Sequence, residues 1–370
     1  MKKYIILLIL LYLILIINYC ENQQVEKFGD YFTDCGSVPE LLEQVMTNRN
    51  MKNNTKDYNF YIPCSYNNCE KDILAFENKK GIKVFLIDGC DWLASKLGLW
   101  ELLKEYYGKD ASKYMPTTHL LENADDLENF PKHFEENKQK RPDQMYVLKN
   151  YAQRQEGIKL TRNLNEILIG LNNNWYLVQD YVYDPYIIDQ RKINFRYYLL
   201  VICRNGKIEG YIHKDGFVYY TPKYYDQYDM DFDKHITTGY IDRKVYDDNP
   251  LTLQDFRDHL DKKDLGSSKI WNINAETLMN KVMDAISKKI CQNKKLSEHV
   301  RFQLFGCDLA PDANLGVKLM EINKGPDLEA KDGRDKEVKL LVQKDIFTLV
   351  DPENNNINDN IKTTSFIKIY

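Results

Sequence analysis

Two apolar runs in the last quarter of the chain carry oxygen-bearing side chains, and their spacing restricts the possible folds more than any other feature. The first run starts at Phe302 and ends at Asp308, and the second holds Glu321 and Asn323 at alternate positions. Side chains two residues apart on a strand point to the same face of the sheet. A hairpin through residues 311–314 would bring the first carboxylate beside the other two side chains.

Three converging oxygen donors suit Mg²⁺, which prefers carboxylate, amide and phosphate oxygens. We therefore predict a metal site formed by Asp308, Glu321 and Asn323 next to a bound nucleotide. The alternative is that an aspartate and an asparagine simply end two strands. That alternative does not explain Glu321 inside an apolar run, where an uncompensated carboxylate is costly.

Candidate phosphate contacts lie further upstream. Lys149 ends the strand-like run that begins at Tyr146 and stands before a segment holding Gln153, Arg154 and Gly157. An ammonium group at that position can reach a phosphate, although a solvated strand end would look the same. The segment is a candidate lid, but one glycine does not make a phosphate cradle.

Two further basic residues with a candidate role in phosphate binding, Lys192 and Arg196, lie in the segment Arg191–Arg196. Lys192, Asn194 and Arg196 alternate with Ile193 and Phe195, so a strand here would have one polar face and one core face. A solvated edge strand would show the same alternation. The alternative therefore stays open on the residues alone.

Together these segments resemble the nucleotide site of the tubulin–tyrosine ligase-like family, a branch of the ATP-grasp ligases. The matching segments also include Trp175–Val182 and the sequence His-Ile-Thr-Thr ending at Thr238. The likeness covers about residues 80–345 with the elements in family order. It implies an α+β ATP-grasp fold in which ATP lies between two antiparallel-sheet lobes, with a smaller N-terminal lobe.

The resemblance also implies roles for single residues. Lys192 and Arg196 would be catalytic, handling the γ-phosphate and an acyl phosphate. Gln179 and Tyr181 would flank the adenine, although an ordinary amphipathic strand is the alternative. The full set of expected nucleotide contacts is Lys149, Gln153, Arg154, Gly157, Gln179, Asp180, Tyr181, Val182, Lys192 and Thr238.

The implied activity is an ATP- and Mg²⁺-dependent, ADP-forming carboxylate–amine ligase that tyrosinates, glutamylates or glycylates a protein, tubulin by default. Four positions depart from the family pattern: Asp180 replaces Lys, Asn194 replaces Asp, Tyr219 replaces Arg, and Thr238 replaces Asn. The replaced Arg helps hold the incoming amino acid. Two alternatives therefore stay open: a ligase for another protein or peptide, and a nucleotide-binding membrane protein with degenerate catalysis.

The expected organisation has five parts. Residues 1–20 are a signal anchor or signal peptide, 21–80 a stalk or cap, 81–143 the N-terminal lobe, 144–350 the catalytic lobes, and 351–370 a tail. The charged segment 122–143, with Pro131 and Pro142, is interpreted as a lobe boundary. An apolar stripe at Leu278, Val282, Ile286 and Ile290 predicts a helix.

The first 20 residues predict a membrane location. An uncharged apolar run follows Lys2 and Lys3 and is near the lower limit for a spanning helix. We favour an uncleaved anchor over a cleaved signal, because no small-x-small site follows the run. Positive-inside bias would translocate the catalytic part, which conflicts with cytosolic tubulin as substrate.

Charge and cysteine content add little to the function. The 51 basic and 55 acidic residues give a net charge of −4, so no basic field points to nucleic acid. An N-terminal group of four cysteines would permit disulfides in an oxidising compartment: Cys35, Cys64, Cys69 and Cys90. Cys203 and Cys307 lie in apolar runs and are predicted to be buried thiols.

Overall fold

Helices and short strands alternate along the chain, with two long strands at the centre. The computed structural model describes residues 29–150, 157–351 and 361–370. Its strands are β1 (Tyr31–Phe32), β2 (Phe60–Tyr61), β3 (Lys83–Val84), β4 (Thr118–Leu120), β5 (Tyr146–Lys149), β6 (Ile158–Thr161), β7 (Leu177–Asp180), β8 (Ile187–Ile188), β9 (Arg191–Arg204), β10 (Lys207–His213), β11 (Phe217–Tyr220), β12 (Val300–Pro311), β13 (Val317–Lys324) and β14 (Phe366–Lys368). Its helices are α1 (Glu40–Asn48), α2 (Cys69–Leu74), α3 (Cys90–Leu93), α4 (Lys96–Tyr107), α5 (Ala124–Lys140), α6 (Leu164–Leu168), α7 (Phe232–His235), α8 (Val245–Asp248), α9 (Leu253–Lys263), α10 (Ser267–Ile286) and α11 (Gly333–Val350).

A ten-stranded sheet forms the larger layer. Its order is β1-β2-β3-β12-β9-β10-β14, with β8 and β11 also paired to β9 and β13 paired to β12. The first strands run parallel, whereas β12, β9, β10 and β14 are antiparallel neighbours. The predicted hairpin between the two long C-terminal runs is confirmed, because β12 and β13 pair antiparallel with Asp308 opposite Glu321.

A four-stranded antiparallel sheet forms the second layer, in the order β4-β7-β5-β6. Helix α5 covers one face, where the rings of Phe130 and Phe134 lie 5.5 and 5.2 Å from that of Tyr146. The segment 122–143, interpreted from its charge and prolines as a lobe boundary, thus contains a helix that packs on the smaller sheet. The helix continues through Pro131 because the two phenylalanines bury against the sheet. Two sheets with flanking helices agree with the α+β class.

Helix α10 packs the main core behind the large sheet. Trp271 is fully buried, and its ring centroid lies 4.6 Å from that of Phe195 on β9. Its indole N–H donates to the hydroxyl of Tyr197 over 2.9 Å. A buried indole or phenol needs such a partner, so this bond fixes the depth at which α10 meets the sheet.

The ends of the described chain are more closely integrated than expected. In the described part of the predicted stalk or cap, β1 and β2 extend the large sheet and Leu42, Val45 and Phe60 join its core. Phe366–Lys368, in the predicted tail, pairs with β10. These segments are short apolar stretches between polar residues, which explains why composition suggested no layer.

The prediction of a membrane location is corrected here. Within residues 29–150, 157–351 and 361–370, no helix combines the length and the apolar character needed to cross a bilayer. The longest, α10, has 20 residues but carries Lys269, Glu276 and Lys281. The predicted anchor, 1–20, lies outside the described residues.

Two disulfides cross-link the described chain. Cys35 pairs with Cys64, in the group where disulfides were considered. The prediction that Cys203 is a buried thiol is wrong, because it pairs with Cys291 and ties β9 to the segment after α10. Apolar surroundings suit a half-cystine as well as a thiol, so the sequence did not separate the two. The prediction for Cys307, which is buried and unpaired, is confirmed.

We predict that Trp271→Phe lowers the free energy of unfolding by about 1–3 kcal/mol, through the lost hydrogen bond and the space left behind. Denaturant titration measures the change. Ile270→Ala on the same helix is the matched control, because Ile270 is 52% exposed and should change stability by about 0.5 kcal/mol or less. Equal losses in both variants would contradict the assigned role of the tryptophan.

Candidate active site

A cavity of about 460 Å³ lies between the two sheets. Lys149 lines it from the smaller sheet, and Lys192, Asn194 and Arg196 line it from β9. Their neighbours on β9, such as Phe195, are buried in the core. The predicted alternation of a polar and a core face on this strand is therefore present, and the polar face forms the cavity wall.

The three predicted metal ligands meet on one wall of this cavity. Asp308 lies opposite Glu321 across the hairpin, and Asn323 follows two residues later on the same face. The Asn323 amide donates to the Glu321 carboxylate over 3.0 Å. The pairing register shifts directly after Asp308, an irregularity of the kind that often re-aims side chains near active sites.

Arg196 holds Asp308 from the neighbouring strand. The guanidinium donates to both carboxylate oxygens, over 2.6 and 3.2 Å. Burial together with Glu321 nevertheless raises the pKa of Asp308 to about 6. Burial also acts to raise the pKa of Glu321, but the Asn323 amide and Lys149 outweigh it and hold that pKa below its ordinary value. The wall therefore contains two carboxylates that compete for positive charge.

Two buried lysines face the cavity from different sheets. Lys149 donates to the Gln179 side chain over 2.8 Å, and burial lowers its pKa to about 8. Lys192 donates to the backbone carbonyl of His235 over 2.8 Å and lies 4.4 Å from the ring centre of Tyr181. Burial and the charge of Lys149 lower its pKa to about 7. Neither ammonium group has a carboxylate partner at salt-bridge distance among the described ion pairs.

The other predicted nucleotide contacts are placed unevenly. Tyr181, Val182 and Thr238 line the cavity. Gln179 lies beneath it, where its amide also donates to Thr118 over 2.9 Å. The side chain of Asp180 contacts His133 on α5 instead, and its backbone N–H donates to Thr117.

Only part of the predicted lid lies within the described residues. The carbonyl of Gly157 accepts the backbone N–H of Asn150 over 3.0 Å, which closes the base of the segment. Gln153 and Arg154 lie outside the described residues.

Part of the cavity lining is apolar, which the sequence analysis missed. Val147, Ile158, Ile236 and Met320 contribute to it together with Val182. These residues come from five separate segments, so no local pattern could have shown them. Such a surface suits the flat ring of a nucleobase.

Charged residues near the mouth were also missed. Lys96, Asp327 and Lys331 line the cavity, the last two from the segment that follows β13. The sequence signal was weak, because this segment reads as a polar loop. Only the position of the segment directly after the strand with the metal ligands could have indicated that it lines the cavity.

A cavity between two sheets, with paired carboxylates on one wall and buried cations beside it, defines an ATP-grasp-like protein. The chain belongs to the tubulin-tyrosine ligase family, whose model matches residues 50–358. This match confirms the resemblance found from the motifs and extends further towards the N-terminus than they did.

Several similar proteins are named as tubulin glycylases or probable tubulin polyglutamylases. A probable tubulin polyglutamylase of Caenorhabditis elegans is 26% identical over 312 residues, covering 80% of this chain and 68% of that protein. Tubulin glycylase 3B of Drosophila melanogaster is 25% identical over 224 residues, 56% of this chain and 29% of its own length. A probable tubulin polyglutamylase of Rattus norvegicus is 29% identical over 186 residues, 48% and 39% of the two chains. The matches thus span less than half of two of these relatives.

The lowered lysine pKa values predict that stability rises with pH. An unfolded lysine has a pKa of about 10.4, so above pH 7 the unfolded chain binds more protons than the folded one. Lys192, with its pKa of about 7, should add up to about 1.4 kcal/mol of unfolding free energy per pH unit between pH 7 and 9.

Denaturant unfolding at pH 7, 8 and 9 tests this for the wild type and Lys192→Met. The slope against pH should be smaller in the variant. Lys207→Met, at an exposed position, should keep the wild-type slope. Indistinguishable slopes for the wild type and Lys192→Met would refute the lowered pKa.

Proposed function

We propose that the cavity binds ATP with Mg²⁺ and that the protein is an ADP-forming ligase joining a free amino acid to a protein carboxylate. The proposed acceptor is tubulin, which the names of the relatives indicate. The observation that carries the proposal is the convergence of Asp308, Glu321 and Asn323 with two buried lysines around one cavity.

The donor set fits a hard cation. Two buried carboxylates lie close enough to raise one pKa, and a divalent cation between them would relieve that repulsion. Asn194 gives a further indication, since its Oδ1 atom is buried and has no hydrogen-bond partner among the described residues. Buried polar atoms normally have partners, so this oxygen fits a position beside a bound ligand.

The cavity lining offers partners for both parts of ATP. The apolar side chains, among them Val182 and Met320, suit the base. Lys149 and Lys192 suit the phosphates, which would return to both lysines the positive charge that burial disfavours. Mg²⁺ would neutralise phosphate charge on the carboxylate wall.

In the proposed reaction, a protein carboxylate takes the γ-phosphoryl group of ATP and ADP leaves. The amino group of the free amino acid then attacks the acyl phosphate, which forms the amide bond and releases inorganic phosphate and a proton. Arg196 is placed to orient oxygens beside Asp308 through its rigid fork. Lys192 would stabilise negative charge from the floor of the cavity. The enclosure between the sheets would keep water from the acyl phosphate.

A second candidate is nucleotide binding without ligation. Asn194, Tyr219 and Thr238 all line the cavity and all depart from the family pattern. A third is a ligase for a protein other than tubulin, because the cavity itself does not define the acceptor.

Intact-mass and peptide mass spectrometry separate these functions. The protein is incubated with ATP, Mg²⁺ and each amino acid, with purified tubulin or a total protein extract as acceptor. Mass additions on tubulin support the proposal, and additions only on other proteins support the third candidate. ATP binding with no addition on any protein would leave the second candidate standing and remove the first.

We predict that Glu321→Gln abolishes ligation but leaves the fold intact, because the carboxylate is lost from the metal site while the side-chain shape is kept. Turnover and circular dichroism measure the two effects. Glu337→Gln, exposed on α11, is the matched control and should keep full activity. Near-normal turnover in folded Glu321→Gln would sink the metal assignment.

Arg196 should be far more important than exposed basic residues. We predict that Arg196→Ala lowers turnover about a hundredfold or more, since a permanently charged fork is lost from the reacting oxygens. Lys207→Ala and Lys159→Ala should lose little, because Lys207 is exposed and Lys159 pairs with Glu166 at the surface.

Arg196→Lys tests the same point while keeping the charge, and so guards against misfolding around an unpaired Asp308. It should recover only part of the activity, because lysine cannot hold both carboxylate oxygens. Equal turnover in the Ala variants of Arg196 and Lys207 would mean that the polar face of β9 has no catalytic part.

A further inference from the structure

The segment after β13 presents two opposite charges to the mouth of the cavity. Asp327 and Lys331 both line it and are four residues apart. The charge of Asp327 acts on Lys331 and on Tyr219, so the three groups lie within electrostatic range of one another. Neither charged residue is needed for the phosphate or metal contacts proposed above.

Buried contacts hold this segment in place. The carbonyl of Glu329 accepts the Lys339 ammonium over 2.6 Å, and the backbone N–H of Lys331 donates to Asp335 over 3.2 Å. Asp335 and Lys339 form a buried ion pair at 3.0 Å. Asp332 is bound by the guanidinium of Arg243. The segment is therefore anchored to α11 between the two charges and at the backbone of Lys331.

The Lys331 ammonium lies in a defined recess. It donates to the carbonyl of Gly239 over 3.2 Å and lies 4.3 Å from the ring centre of Tyr240. A Cβ atom on Gly239 would come within 3.2 Å of the Tyr219 ring and 3.4 Å of the ammonium nitrogen. Gly239 therefore packs closely against both the Tyr219 ring and the ammonium group, and this position has little room for a side chain.

Tyr219 lies between the recess and the Arg196–Asp308 pair in the chain of contacts. Its ring centre is 5.5 Å from the Arg196 guanidinium, and Gly239 packs against the same ring. A small molecule in the recess would therefore be one aromatic ring away from the Arg196–Asp308 pair. A polyphosphate is a poor occupant, because the Asp327 carboxylate would repel it.

We propose that Lys331 and Asp327 form the subsite for the incoming free α-amino acid, bound as a zwitterion. Lys331 binds its carboxylate, and Asp327 binds its ammonium group with the carboxylate oxygen that does not accept the Glu329 N–H. A cation and an anion held at a fixed spacing select a molecule that carries both charges. This inference rests on the proposed ligase function and adds the residues that recognise its amine substrate.

Steady-state kinetics with the full chain tests the subsite, with the amino acid varied at saturating ATP and ATP varied at saturating amino acid. Lys331→Met should raise KM for the amino acid about tenfold or more and leave KM for ATP within about twofold, since one charge-assisted contact is lost. Lys331→Arg should restore most of the affinity. Asp327→Asn should also raise KM for the amino acid. Lys336→Met, exposed on α11, is the matched control.

A blocked substrate sharpens the test. The wild type should prefer an amino acid to the same amino acid with its carboxylate converted to an amide. Lys331→Met should lose that preference. Without the ammonium group, a free carboxylate has no cationic partner in the subsite, so its conversion to an amide should no longer weaken binding. An unchanged KM in Lys331→Met, an equal rise in KM for ATP, or a preserved preference for the free acid would each overturn the subsite.

Failure of the proposed function would look different. If the wild type adds no amino acid to any acceptor, ligation is refuted, and calorimetry then decides the subsite alone. The protein is loaded with a non-hydrolysable ATP analogue and Mg²⁺ and titrated with each amino acid. Heat that is present in the wild type and lost in Lys331→Met supports the subsite, whereas absence of heat in the wild type overturns it.

Discussion

The ion pair between Arg196 and Asp308 is the contact on which the site depends. The two residues are partners in the register of β9 and β12, so the central strand pairing of the large sheet places them side by side. Their bond in turn keeps a buried carboxylate charged next to Glu321. A buried pair of this kind contributes little net stability, yet removal of either partner leaves an uncompensated charge. The pair therefore makes β9, β12 and β13 one unit in both geometry and charge.

The part of the site that lies on regular strands could be predicted from the sequence. Alternation on β9 and the two-residue spacing of Glu321 and Asn323 determine which side chains share a face, and the short turn determines the register. The order of the motifs then indicated the family. These inferences worked because the period of a strand is a local property of the chain.

Long-range packing could not be predicted in the same way. The pairing of Cys203 with Cys291 spans 88 residues, and no local pattern specifies its partner. The contact between Gln179 and Lys149 joins strands that are adjacent only in the folded sheet. Asp327 and Lys331 lie at the cavity because contacts with α11 hold their segment there, and the sequence of the segment does not indicate those contacts. In each case the missing information was which surfaces meet.

The two buried lysines of the cavity belong to different sheets, Lys149 to the smaller and Lys192 to the larger. The distance between their ammonium groups therefore depends on the separation of the two sheets. Their mutual repulsion lowers the proton affinity of Lys192, and repulsion weakens as charges move apart. The width of the cleft and the number of protons bound to its two lysines are consequently linked. Bringing the sheets closer strengthens the repulsion and releases a proton from Lys192. A polyanion bound between the sheets offsets the repulsion, so the lysines take up a proton.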